Sequence, residues 1–255
     1  MAFLQQGMAF DVDAFSASVI GIAANVGRHD SGLHQHNRGQ LLYAPQGCMS
    51  FELEQAICIL PPTKAVWIPP HTPHRAVMTN VVAYRSLYFD CSRFSTPTEL
   101  TMVDVNPLLK ALIDKMAHWL WDTPEAQMNH SCALFWEEFY AATSHSFRLA
   151  IPSDRRFHGF HQELLTPDFL PPDIGTLAQT IGASAKTVTR LFRADTGMSY
   201  QEWRQQWRLL KAIELLSSPL PVTEVGFRLG FSSDSAFIAF FKQHTGQTPR
   251  SFIHG

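Results

Sequence analysis

Two sets of side chains in this 255-residue chain have types and spacings suited to chemistry. The first set is imidazole: His34 and His36 flank a single residue, Gln40 follows, and His71 and His74 come later. A His-x-His on a strand puts both rings on one face. Neutral imidazole nitrogens of His34, His36 and His74 could hold a divalent metal ion, with Gln40 or His71 completing the set. They would also be satisfied as strand-edge residues with ordinary hydrogen bonds. The second set is Lys186, Thr189 and Arg190, with Ser184, Thr187 and Arg193 beside them. Arginine pairs bidentately with guanine O6/N7, and threonine takes a base edge or a thymine methyl. The bland alternative for Arg190 is a salt bridge at a domain surface.

The elements that must position the second set are written twice. Leu177-Ala178, Ile181-Gly182, Ser184, Val188, Leu191-Phe192, Gly197, Ser199 and Trp203 make the first copy. Val225-Gly226, Leu229-Gly230, Ser233, Phe237, Phe240-Phe241, Gly246, Thr248 and Phe252 make the second, with one residue inserted near Phe231. An internal repeat outranks other sequence signals. Each copy reads as a short helix, a turn at glycine, and a second helix capped by serine. Small residues at Ala178 and Gly226 let the two helices cross closely. This is a helix-turn-helix, whose second helix enters a DNA major groove. Its exposed face carries Lys186, Thr189 and Arg190 in the first copy. The second copy presents Asp234, Ser235, Ile238 and Ala239, with Ala239 where Arg190 stands. Ser233, Ser235 and Lys242 are therefore expected to touch phosphate and Ile238 to make apolar contact. A linker helix over 200–217 joins the copies, with Trp203, Trp207, Leu210, Ile213 and Leu216 on one side.

The doubled helix-turn-helix, the linker helix bearing Trp and Arg, and the ending Gly246-Gln247-Thr248-Pro249-Arg250-Ser251-Phe252 closely resemble the DNA-binding domain of the AraC/XylS family of bacterial transcription regulators. The resemblance covers about the last 100 residues.

Hydrophobic residues are 45% and charged residues 16% of the chain, so it reads as globular, with room for two domains. The net charge of -2 does not advertise nucleic acid. Residues 150–255 nevertheless hold 11 Lys and Arg against 9 Asp and Glu, whereas residues 1–149 hold 9 against 13. DNA binding must come from a local basic face. Cys48, Cys58, Cys91 and Cys132 lack paired short spacing and read as free thiols in a reducing cytosol. Residues 1–10 lack the marks of a signal peptide, and no run of 18 apolar residues spans a membrane.

Residues 1 to about 15 read as a mobile arm. Short apolar or alternating runs follow at 18–24, 40–44, 49–53, 56–60, 65–68, 76–78 and 81–89, broken by Gly and Pro. They predict strands of a sandwich or barrel. His34-Gln35-His36, Gln40, Gly47 and the later Pro69-Pro70-His71-Thr72-Pro73-His74 resemble the two cupin motifs, in which His-x-His, a Glu and a later His meet inside a small β-barrel. Gln40 stands where that pattern has Glu, and His71 where it usually has Gly. Loss of the anionic ligand points to a weaker metal site, or to a small organic ligand held by hydrogen bonds. The runs with Trp67-Ile68-Pro69-Pro70 look most like a cupin-bearing AraC subgroup, which implies control of a transporter gene. Two amphipathic helices are expected at 107–120 and 130–146. Their stripes, with Leu108, Leu112, Met116, Phe135 and Phe139, cap the barrel or, as the resemblance implies, dimerise the chain. A hinge at 151–154 and a helix over 155–165 lead into the first repeat.

These readings predict an α+β chain. Residues 1–150 form a cupin-like β-barrel followed by dimerisation helices, for ligand sensing and dimerisation. Residues 151–255 form an all-α domain with two helix-turn-helix units joined by a linker helix. The expected function is sequence-specific DNA binding and transcription regulation, controlled by a small ligand or a divalent metal (Zn, Ni, Mn or Fe). The expected partners are promoter or operator DNA and a second copy, in the bacterial cytoplasm without a membrane. The rival reading is a metallocupin enzyme, an oxygenase or isomerase, which would want an acid or base beside an open metal position. The absent Glu and the DNA-binding half count against it, and no catalytic residue is assigned.

Overall fold

In a computed structural model of the chain, the described residues are 11–26, 29–46, 49–53, 56–78, 82–145, 148–164, 166 and 169–254. The strands are β1 (Val19–Val26), β2 (His29–Asp30), β3 (Gly39–Gln46), β4 (Met49–Leu53), β5 (Ala56–Leu60), β6 (Lys64–Ile68), β7 (His74–Met78), β8 (Val82–Phe89), β9 (Thr101–Asp104), β10 (Ser144–His145) and β11 (Arg148–Ala150). The helices are α1 (Pro107–Ala117), α2 (Glu125–Ala141), α3 (His158–Leu164), α4 (Ile174–Thr180), α5 (Ala185–Thr196), α6 (Tyr200–Leu216), α7 (Val222–Arg228), α8 (Asp234–Thr245) and α9 (Pro249–His254). Two compact units result, Met1–Phe51 with Leu60–Phe147, and Glu52–Ile59 with Arg148–Gly255.

The first unit is built on two antiparallel sheets. One runs β1-β8-β3-β6-β9-β10. The other has five strands, of which three, in the order β4-β7-β2, lie in this unit. Strand alternation divides the first sheet into two faces. Leu41, Tyr43, Leu87 and Phe89 join Trp67, Leu109, Ile113, Met116, Phe135, Trp136 and Phe139 in one buried cluster. Gln40, Ser86 and Tyr88 are on the opposite face, with Gln40 directly opposite Tyr88 in the β3–β8 ladder. The helices therefore cover one face and leave the polar one for other work. Asn106 caps α1 by accepting from the Leu109 N–H at 2.8 Å, with Pro107 in the first turn.

The second unit pairs β11 antiparallel with β5 and then becomes helical. Trp203 of α6 is fully buried, and its indole N–H donates to the Ala150 carbonyl at 2.7 Å. Phe160, Phe192 and Tyr200 surround it with ring centroids 5.4–6.2 Å away. Ser199 and Glu202 form a reciprocal capping box that starts α6.

The structure corrects several expectations. The helix expected at 130–146 runs from Glu125 to Ala141, and Ser144–His145 instead pairs with β9. Ala142 is already extended, at φ -70° and ψ 147°, so the chain leaves the helix there. The first helix ends at Ala117, leaving Leu120 outside and exposed. The expected helix over 155–165 opens as a 3-10 turn at Arg155–Phe157 before α3, and Leu165 lies outside the described residues. β2, β9, β10 and β11 were not anticipated. Residues 1–10 of the expected arm lie outside the described residues, but Val12–Ala14 is a 3-10 turn capped by Asp11. Cys91 and Cys132 form no disulfide among the described residues, and Cys48 lies outside them, as does Gly47. No helix among the described residues is long and apolar enough to cross a membrane.

The largest correction concerns the stripes. Leu112, Met116, Phe135 and Phe139 are buried in this unit's own core, so they are not a dimer surface. Only Leu108 of the five is exposed, at 45%. A charge at Leu112 would break the core rather than split a dimer. Accordingly, Phe139→Ala should destabilise the chain by about 3–5 kcal/mol. By contrast, Leu120→Ala, at an exposed site outside the helix, should stay within about 0.5 kcal/mol. Chemical denaturation of both variants checks this, and equal losses would refute the assignment of the stripe to the internal core.

Candidate nucleic-acid interface and histidine cluster

The two helix-turn-helix copies share their backbone devices. Ser184 and Ser233 each accept a backbone N–H at 3.2 Å, from Thr187 and from Ala236. Gly197 and Gly246 end α5 and α8 at φ 75° and 76°. At the turns, Gly182 and Gly230 adopt φ 63° and 73°, which would strain a side chain. The insertion lies between Gly230 and Ser233, where Phe231 and Ser232 stand against Ala183 alone. Phe231 packs its ring 5.0 Å from Phe240 and lies under the Arg208 guanidinium at 5.2 Å. The expected close crossing is present: a Cβ on Gly226 would lie 3.1 Å from the Cβ of Phe237.

With α5 fixed in this way, Val188, Leu191 and Phe192 are buried and the polar residues turn outward. Lys186, Thr189, Arg190 and Arg193, with Ala185, line one shallow depression. Lys186, Arg190 and Arg193 are exposed, and their side chains make no hydrogen bond or ion pair with described residues. The salt-bridge alternative for Arg190 is thus not what the structure contains. Thr187 is held inward by Ser184, hydroxyl to hydroxyl at 3.0 Å. The Thr189 hydroxyl donates to the Ala185 carbonyl at 3.0 Å.

The matched face of α8 is different. Registering the caps places Ser235 at Lys186, Ile238 at Thr189, Ala239 at Arg190 and Lys242 at Arg193. Three cations are thereby reduced to one, and Asp234 adds a carboxylate in the first turn. Asp234, Ser235, Ile238 and Lys242 are all exposed, while the Ser233 hydroxyl is engaged as a cap. The arginines of α6 are structural: Arg204 donates to the Pro171 carbonyl at 2.7 Å, and Arg208 covers Phe231.

In the first unit, His34, His36 and His74 converge, each offering one ring nitrogen within 4.8 Å of the others. A backbone bridge joins His34 to His74, and His36 lies between the Arg38 and Gln40 side of the loop. Each Nδ1 donates to a carbonyl two residues away: Gly32 for His34 at 3.0 Å, Arg38 for His36 at 2.6 Å, and Thr72 for His74 at 2.8 Å. A carbonyl only accepts, so each Nδ1 carries the proton and each neutral ring keeps its Nε2 lone pair. His74 Nε2 is buried without a partner. Burial pushes His74 down to about 4, and burial likewise lowers His36, so both rings are neutral near pH 7.

Gln40 completes the group. Its amide nitrogen donates to Ser86 Oγ at 2.9 Å and to the Tyr88 hydroxyl at 2.8 Å. Its Oε1 faces His36 Nε2 at 3.2 Å. In the neutral ring two lone pairs face each other there, which a cation between them, a turned amide or a proton on the ring relieves. The donor set, three imidazoles and an amide oxygen, fits a borderline divalent metal. Carbonyls behind each imidazole are the usual outer support of such a site. His71 does not join this group: it is exposed, at φ 58°, and its N–H donates to the His36 carbonyl. Sequence reasoning missed Ser86, Tyr88 and Arg38. Arg38 is buried and donates to the carbonyls of Ala17 and Phe15.

The asymmetry of the two reading faces has a measurable consequence. Arg190→Ala should weaken binding to a mapped operator by about 1–3 kcal/mol and relax one base position. Lys242→Ala should weaken binding to every sequence and lower the salt slope by about one unit. Titrations on operator and scrambled DNA across a salt series separate the two. Equal loss on both DNAs for Arg190→Ala would make it a phosphate contact or a fold support.

Family models match both halves of the chain. The AraC-like ligand binding domain matches residues 16–165, and the helix-turn-helix domain matches residues 177–254. The HTH-type transcriptional regulator NimR of Escherichia coli K12 is 29% identical over 88% of this chain and 82% of its own length. The arabinose operon regulatory protein of the same strain is 36% identical over 32% of this chain and 29% of its own. The DNA-binding domain of AdpA, solved in complex with a target DNA, is 31% identical and covers 40% of this chain and 92% of that one, at a TM-score of 0.36. With an AraC-like ligand-binding domain ahead of a doubled helix-turn-helix, the chain belongs to the AraC family of DNA-binding transcription regulators.

Proposed function

We propose that this regulator responds to a divalent metal ion held by His34, His36 and His74 through Nε2, with Gln40 Oε1 as fourth donor. The observation that carries the reading is the buried, partnerless Nε2 of His74 beside two rings whose Nδ1 atoms are likewise engaged. Zn, Ni, Mn and Fe are the candidates, and the nitrogen-rich set favours Zn and Ni over Mn. A turned Gln40 amide would instead donate to His36 Nε2, giving a metal-free pocket for a small organic ligand.

Base specificity is assigned to Lys186, Thr189, Arg190 and Arg193 of α5. The anchoring contacts are assigned to Ser235, Ile238 and Lys242 of α8. The protein acts in the bacterial cytoplasm, where its DNA is. It works as a homodimer, because two linked copies on paired half-sites bind more tightly than one. Leu108 on α1 and Leu134 on α2 are exposed apolar side chains that could make that contact. The similarity to transcription regulators supports this reading over a metallocupin enzyme.

Elemental analysis of protein purified from metal-replete cells should find about one metal per chain, and His36→Ala or His74→Ala should lose most of it. Metal-free wild-type protein from such cells would end the metal reading in favour of the organic pocket. Light scattering should find dimers that Leu108→Glu with Leu134→Glu converts to monomers. A wild type that is monomeric at high concentration, free and on DNA, would dismiss the dimer.

A further inference from the structure

The charge balance of the histidine site goes further than its ligand count. Every donor in it is neutral: three imidazoles and one amide oxygen, with no carboxylate or thiolate in the group among the described residues. A dication placed there keeps its full charge in a largely buried setting, where charge is hard to sustain without compensation. The surroundings add to it. Arg38, two residues from His36, is buried with its guanidinium bonded to the carbonyls of Ala17 and Phe15. Two acids act on that guanidinium: half-buried Asp90 is already paired with Arg93 at 3.3 Å, and Asp13 is exposed, its carboxylate oxygens accepting from the Asn37 N–H at 2.9 and 3.2 Å. Water screens a carboxylate in that position. His34 is the exposed member, so the site is open to solvent on its side.

We infer that this site takes its metal together with a small anion, a carboxylate or similar oxyanion that replaces metal-bound water and supplies the charge Gln40 lacks. This inference rests on the metal reading above. The effector is then a pair, a divalent cation and an anionic metabolite, each raising the affinity for the other, as linkage requires. Gln40 is the residue that sets this requirement. A carboxylate at position 40 would sit against Ser86 Oγ and the Tyr88 hydroxyl, both of which can turn to donate to it.

The full-length chain loaded with Co(II) tests this, because the visible ligand-field spectrum reports a change in the metal's ligands. Acetate, titrated at constant ionic strength, should shift the spectrum saturably, and the neutral isostere acetamide should not. Gln40→Glu should bind Co(II) on the order of tenfold more tightly, since ligand charge tunes affinity, and should respond to acetate at least about tenfold more weakly. A wild-type chain that binds one Co(II) whose spectrum ignores both acetate and azide would overturn the anion inference and leave the metal reading standing. A wild-type chain that binds no Co(II) would overturn both. The wild-type titration stands by itself if Gln40→Glu does not fold.

Discussion

A helix of seven to twelve residues does not hold itself together in water, and the DNA-binding unit is assembled from such helices. What holds them is the burial of aromatic rings against α6. On one side Phe192, Tyr200 and Phe160 close around Trp203, and Phe157 packs against Phe192. On the other, Phe237 and Phe241 are buried, and Phe252 packs 5.4 Å from Phe241. Insertion of these rings fixes the rotation of each reading helix about its axis. Because Val188, Leu191 and Phe192 must point inward, Lys186, Arg190 and Arg193 must point out. The basic face is a consequence of the core, and no separate device is needed to present it.

The same economy of geometry governs the ligand-binding unit. Along β3 and β8 successive residues alternate between two faces, so one ladder does two jobs. Leu41, Leu87 and Phe89 build the core under α1 and α2, while Gln40, Ser86 and Tyr88 form a hydrogen-bonded polar row. A register slip of one residue would exchange the two faces and destroy both. The histidines add a further constraint. Their Nδ1 atoms answer to carbonyls within two residues, so the backbone of each local turn dictates which nitrogen is left available.

How much of this could be read from the sequence depends on the range of the physics involved. The helix-turn-helix repeat was legible because serine caps and turn glycines are local signals, and Ser184, Gly182, Gly197 and their counterparts carry them within a few residues. Most strands of the first unit were legible from short apolar runs between turn residues. β2, β9, β10 and β11 were not, because strands of two to four residues exist through their partners rather than through propensity. The start of α2 was missed because its first turns are polar, and its apolar residues begin to repeat only after Met128. The stripe through Leu112, Met116, Phe135 and Phe139 announced burial but not what buries it, and the answer is the unit's own sheet. The support of Gln40 by Tyr88 needed the β3–β8 register, which no short window contains.

The contrast between the two reading helices follows from what a repeat must retain. A copy that loses its cap, its turn glycine or its inward apolar side chains loses its fold, so Ser233, Gly230, Gly246 and Phe241 match Ser184, Gly182, Gly197 and Phe192, and Phe237 stays apolar where Val188 stands. The outward face carries no such constraint and is free to differ. There Arg190 has become Ala239 and Lys186 has become Ser235, while Arg193 and Lys242 keep a cation near the end of each helix. A positive charge in the last turn also suits the helix dipole. That cation is therefore kept by the helix and by any phosphate alike, whereas Arg190 answers to nothing inside the protein. A long cation that is exposed, unpaired among the described residues and positioned by a capped helix has no role inside the fold, which is why base-specific contact is proposed for α5 and anchoring for α8.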